Sequence, residues 1–217
     1  MIKKLIKIIL LSIIIILPVK AEKLVVFDFS EKELSELEVK KVRGAEAKTT
    51  YSVGVNENGN YLKAEAENAA SGLGKEIKIN LDKTPFINIT WKVEKDLKNI
   101  NEKSKKGHDF AARVFVIKKT GLTALSNRAI NYAFSSNSKI GESWPSPYTK
   151  KSFDNVLSTT NNNLNEWVTV KANVKEDFKK YHDLDVKELD GVAIMTDTDN
   201  AKMRAITYYQ NIFFSEE

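Results

Sequence analysis

The pentapeptide Thr196-Asp197-Thr198-Asp199-Asn200 sets two carboxylates and an amide at the end of an apolar run. Such a group can hold Ca²⁺, which takes about six to eight oxygens, or hydrogen-bond the hydroxyls of a ligand. It is not an EF-hand. With Asp197 in first place, Lys202 stands where the required glycine would be and Tyr208 where the bidentate glutamate would be. The same residues also suit an Asx-turn that merely closes a strand.

Trp144 lies in Gly141-Glu142-Ser143-Trp144-Pro145-Ser146-Pro147-Tyr148, a stretch too rich in proline for a strand interior. An indole on such a loop can stack on a sugar face or pin the loop to the body. Ser143 does not make a nucleophile elbow, because Pro145 takes the place of its last glycine. The chain has two histidines, His108 and His182, and no cysteine. A thiol nucleophile, a Cys-ligated zinc, an iron–sulfur cluster and a disulfide framework are excluded, and no His spacing fits a catalytic zinc. Nothing in the sequence places a serine beside either imidazole. His108 reads as the cap of the turn Lys106-Gly107, and His182 as an exposed helix end.

These groups need elements to aim them. Short runs with period-two alternation predict strands near residues 24–29, 50–55, 61–66, 75–81, 86–94, 109–118, 128–135, 167–174, 191–197 and 205–214. Helix signals are confined to 31–37 and 175–182. Many short strands with regular turn spacing predict an all-β fold, an antiparallel sandwich of jelly-roll or galactose-binding-like type with one or two short helices. Residues 137–165 read as an irregular excursion, the kind that often forms a binding loop.

Alternation then assigns faces. In 86–94, Ile87, Ile89, Trp91 and Val93 form a core face. Four later strands each set a bulky apolar face against one of small residues punctuated by polar ones. The second faces carry Arg113, Asn131, Asp197, Tyr209 and Asn211. Small residues on that side leave room for a concave groove into which those polar groups project. The alternative is that loops cover this face and Arg113 pairs with a buried acid.

Composition bounds the rest. The chain has 217 residues, 42% hydrophobic and 29% charged, which suits a globular domain with a core of its own. Residues 1–21 read as a secretory signal peptide: Lys3, Lys4 and Lys7 precede an apolar run that ends at Leu17, and a cut falls after Ala21. The run is short for a membrane span, although an uncleaved anchor remains an alternative. Residues 22–217 then form a single domain. The whole chain has 34 Lys+Arg and 29 Asp+Glu; removing the four lysines of 1–21 leaves 30 against 29, so a basic nucleic-acid face has no support.

Several segments together resemble the bacterial domain-of-unknown-function family numbered 3047. They are Trp91-Lys92-Val93, the run from Asp109 to Val116, Arg128-Ala129-Ile130-Asn131-Tyr132, the run from Gly191 to Asn200, and Tyr208-Tyr209-Gln210-Asn211-Ile212. His108 and Gln210-Asn211 depart from the acids the family tends to carry. The resemblance implies an exported single-domain protein without an assigned activity, and its last strand is similar to the closing strand of carbohydrate-binding jelly rolls.

The leading expectation is a periplasmic or secreted binding module for a glycan or another polyhydroxylated ligand. Arg113 and Asp197 would orient the ligand, Asn131 and Asn211 would bond its hydroxyls, Tyr209 or Trp144 would give an apolar platform, and Asp199 would be a further ligand-binding residue. No cofactor is required, with Ca²⁺ as an option at the aspartate loop. The alternatives are an envelope domain that binds a protein partner on the same face, and a glycan hydrolase using Asp197 and Asp199.

Overall fold

The computed structural model describes residues 22–217; the expected signal peptide lies outside the described residues. Two sheets face each other. In the first, β3 (Thr50–Asn56), β4 (Gly59–Glu67), β13 (Arg204–Ser215), β6 (Phe86–Lys95) and β11 (Val168–Asn173) lie side by side, and β1 (Lys23–Phe27) pairs with the far half of β13. The second runs β2 (Val39–Lys41), β5 (Ala70–Asn80), β12 (Glu188–Asp197), β7 (Ala112–Lys118), β8 (Arg128–Ser135), β10 (Thr149–Thr159) and β9 (Ser143–Ser146). Three short helices complete the fold: α1 (Glu31–Glu36), α2 (Thr160–Asn163) and α3 (Val174–His182). Among the described residues no helix is long and apolar enough to cross a membrane.

The inner faces meet in one core that includes Trp91, Tyr132, Phe134, Tyr209 and Phe214, all fully buried. Each such side chain contributes roughly 1.5–3 kcal/mol through removal from water. Trp91 stays in the core because its indole N–H donates to Ser158 Oγ at 3.0 Å while its ring meets Phe134 edge-on at 6.1 Å.

The expected sandwich is present, with two departures. The excursion expected over 137–165 holds β9, β10 and α2. Trp144 and Pro145 sit in β9, which is an edge strand; an edge tolerates the missing proline N–H. The second departure is that β10 runs parallel to β8, the one parallel pair among the named strands.

Candidate functional site

The outer face of the second sheet is hollow beside the junction of β7 and β12. Met195 pairs with Arg113 across these strands, so Arg113, Phe115, Met195 and Asp197 share one face. Beyond the last paired residues the two chains stay joined, because Asp197 N–H donates to Phe110 O at 3.2 Å and Phe110 N–H to Asp197 Oδ1 at 3.3 Å. The pocket above measures about 600 Å³. The connection from β2 to β3 supplies Val42, Arg43 and Gly44 to its wall, the β9–β10 hairpin supplies Ser146, Tyr148 and Ser152, and His108, Asp199 and Asn200 complete it.

Arg113 is the organising group. Its guanidinium lies between the rings of Phe110 and Phe115, at 5.3 and 5.1 Å from their centroids. Nη2 donates to Asp197 Oδ2 at 2.5 Å and to Met195 Sδ at 3.0 Å, while Nε, itself buried, has no partner among the described residues. Arg113 is 6% exposed and Asp197 2%, so the pair is buried and also lines the pocket. Arg113 thus pairs with a buried acid, as the alternative reading of the sequence had it, and also lines the pocket.

Asp109, Asp197 and Asp199 crowd together, each with a carboxylate oxygen within 4.8 Å of the others. Burial pushes Asp197 up; Arg113 pulls it down, Asp109 and Asp199 push it up again, and it ends at about 8. Asp199 is raised too, first by burial and then by Asp109. Asp109 is spent on the turn: its oxygens accept from the backbone N–H groups of Asn200 and Ala201 and from the Asn200 amide. A Ca²⁺ here would have to displace the Arg113 and Asn200 contacts, so the three carboxylates form no ready cage of about six to eight oxygens.

Tyr148 ties the rim together. Its hydroxyl bonds Asn200 Oδ1 at 2.7 Å and Lys105 O at 3.1 Å, and its ring meets His108 at 5.5 Å. His108 does follow the 3-10 turn Lys105–Gly107, as expected, but it is also buried, and its Nε2 shares a 2.8 Å hydrogen bond with Asp154 Oδ2. Asn131 Nδ2 donates to the other oxygen of Asp154 at 2.6 Å. His182 is half buried rather than exposed, its Nε2 3.0 Å from Ala129 O.

Of the seven residues expected to form the site, the fold brings Arg113, Asp197 and Asp199 into one pocket. Asn131 is on the expected face but completely buried beneath His108 and Asp154 contacts. Trp144 packs with Phe110, Ala133 and Val156 and lies outside the pocket lining.

Tyr209 and Asn211 belong to the other sheet. There the register of β13 shifts between Gln210 and Phe213, with Asn211 at φ 49°. A bulge reverses the alternation. Ala205, Thr207 and Tyr209 therefore point inward before it, Ile212 and Phe214 after it, and Asn211 is exposed. From the core, Tyr209 OH donates to Met195 O at 2.7 Å and accepts from Arg113 N–H at 3.2 Å, so it braces the pocket floor from behind.

Sequence reasoning missed His108, Tyr148 and Arg43 as lining residues. The pairing of His108 with Asp154 is not local, and no spacing announces it. The Lys-Val-Arg-Gly run at 41–44 is a cationic turn signal that could have directed attention to Arg43.

Residues 35–213 match the profile of a family described as a protein of unknown function, DUF3047, and the chain belongs to that family. No curated protein sequence matches it. Among solved structures, the family 30 carbohydrate-binding module of a cellulosomal cellulase from Clostridium thermocellum aligns with a TM-score of 0.51 over 90% of this chain and 98% of its own, at 8% identity. A family 29 carbohydrate-binding module from Piromyces equi gives 0.37 at 13% identity, over 92% and 93%. A cellulase derived from that of Rhodothermus marinus gives 0.44 at 9%, over 90% and 100%. The first likeness establishes the β-sandwich, jelly-roll fold; at such identity it leaves the ligand open, and the other two add nothing to it.

Proposed function

We propose that this member of the DUF3047 family is an exported binding module that takes a glycan or other polyhydroxylated ligand into the pocket over β7 and β12. The observation that carries this reading is the buried, ring-clamped Arg113, with one N–H unspent, at the floor of an open pocket lined by Asp197, Asp199, Asn200 and Tyr148. Convergent polar groups in a concavity of this size are the usual means of fixing a small ligand. Burying an arginine is costly, and here the Asp197 carboxylate and the two flanking rings hold the guanidinium in place at the pocket floor.

The hydrolase alternative receives no support from Asp197 and Asp199. Their oxygens approach within 4.8 Å, and the Asp197 carboxylate is already engaged by Arg113 and by Phe110 N–H instead of standing free to act on a substrate.

The test is a thermal-shift screen of the protein against oligosaccharides and envelope polysaccharides. A ligand at about a hundred times its Kd adds about 2.7 kcal/mol, a visible shift. The shift should vanish in Asp199→Ala. A panel without any shift, together with a specific complex formed with an envelope protein through the same face, would replace this reading by the partner-binding one.

A further inference from the structure

We infer that the ligand of this pocket is an acidic glycan, bearing carboxylate or sulfate groups along its chain. This rests on the binding reading above and concerns which glycans the pocket selects.

The support is a group of cations around the pocket of which all but Arg113, which is paired with Asp197, have no acid partner among the described residues. Arg113 brings a buried guanidinium whose Nε is unpartnered. Arg43 lines the pocket, is exposed, and among the described residues has no carboxylate within 4.0 Å. Lys105 holds its ammonium 5.7 Å from the centroid of the Tyr148 ring, again without an acid partner. Exposed Lys41 and Lys150 flank the same lining segments and form no ion pair among the described residues.

The acids cannot answer them. Asp197 is held by Arg113 and Asp109 by the Asn200 and Ala201 N–H groups, which leaves Asp199. Burial and Asp109 both raise its pKa, and it forms no ion pair among the described residues.

The excess is a matter of placement. From Glu22 onward the chain holds 30 Lys+Arg and 29 Asp+Glu, and elsewhere lysines such as Lys63, Lys103 and Lys202 sit against glutamates. A neutral glycan can accept hydrogen bonds from these groups but brings no charge to answer theirs. A planar carboxylate or a sulfate meets the Arg fork directly.

The test is calorimetric titration of the full protein with oligogalacturonate, with the same oligomer as its neutral methyl ester, and with dextran sulfate against dextran. The acidic member should bind at least about tenfold tighter than its neutral partner, and the ratio should shrink as salt rises. Whichever acidic probe gives the larger ratio identifies the group. Arg43→Gln should collapse that ratio, while Lys83→Gln, remote in sequence and exposed, should leave it as it is.

Equal affinity for acid and ester would overturn the anionic inference while leaving the pocket as a glycan site. Absence of binding by every probe would instead count against the binding reading itself. An acid preference unaffected by Arg43→Gln would place the effect in general surface charge and overturn the assignment to this pocket.

Discussion

The two ends of β12 carry aspartates with opposite electrostatic fates. Asp190, near its start, accepts from Lys78 Nζ at 2.6 Å and from Lys119 N–H at 2.7 Å, with Lys118 Nζ at 2.9 Å. Burial would raise its pKa, but those contacts bring it down to about 2. Asp197, at the other end, has one arginine, two neighbouring acids and a pKa of about 8. One end is electrostatically complete in the unliganded chain. The other is left unfinished, and it opens into the pocket. Structural ion pairs finish their charges internally; sites keep a deficit for something else to fill.

The comparison can be broken most forcefully at Arg113. Arg113→Ala leaves a buried carboxylate without its cation and should cost about 3–5 kcal/mol above pH 8. Below that pH Asp197 takes a proton and the loss should be smaller. Urea unfolding at pH 6 and pH 9 measures both; equal losses would mean that Asp197 does not titrate as the crowding implies.

The pH profile itself comes next. Asp197 has a folded pKa above its unfolded value, so the folded state binds the extra proton. Stability contributed this way is present at low pH and drains away as pH rises from about 4 to about 8. Melting temperature should decline across that window, and Asp197→Asn should flatten the decline. A wild-type curve already flat there would contradict the contrast between the two ends.

Asp190 should behave in the opposite sense and more weakly. Its folded pKa is depressed, so its contribution is present above about pH 4 and lost as pH falls through about 2. Lys78 is 65% exposed on its side chain, which screens that partner. Asp190→Asn should therefore cost on the order of 1 kcal/mol by denaturation at neutral pH.

The smallest effect expected is from salt. Raising ionic strength from about 0.05 to about 0.5 M should remove a few tenths of a kcal/mol from the Asp190 end and almost nothing from the buried Arg113–Asp197 pair. Salt titrations of Asp190→Asn and Asp197→Asn against wild type separate the two.

Period-two alternation was enough to place Arg113 and Asp197 on one face, because β7 and β12 pair in regular register through that stretch. It could not place Tyr209 and Asn211, since a single bulge residue inverts every later position of β13 and leaves no mark in composition. β10 was illegible for a different reason. Its sequence, Thr-Lys-Lys-Ser-Phe-Asp-Asn-Val-Leu-Ser-Thr, is polar at the start and follows two prolines; it is a strand because β8 and β9 satisfy its backbone on both sides. His108 and Asp154 meet across 46 residues, a distance over which only the completed fold has information.

β13 lies between β4 and β6 and also carries β1, while β12 lies between β5 and β7. A growing chain that has reached residue 187 therefore holds two torn sheets. β4 and β3 are separated from β6, and β5 and β2 from β7 and β8. Neither half can hide its edges until the next thirty or so residues are threaded between strands made long before. The nascent protein should stay open to proteases until β12 and β13 have been made.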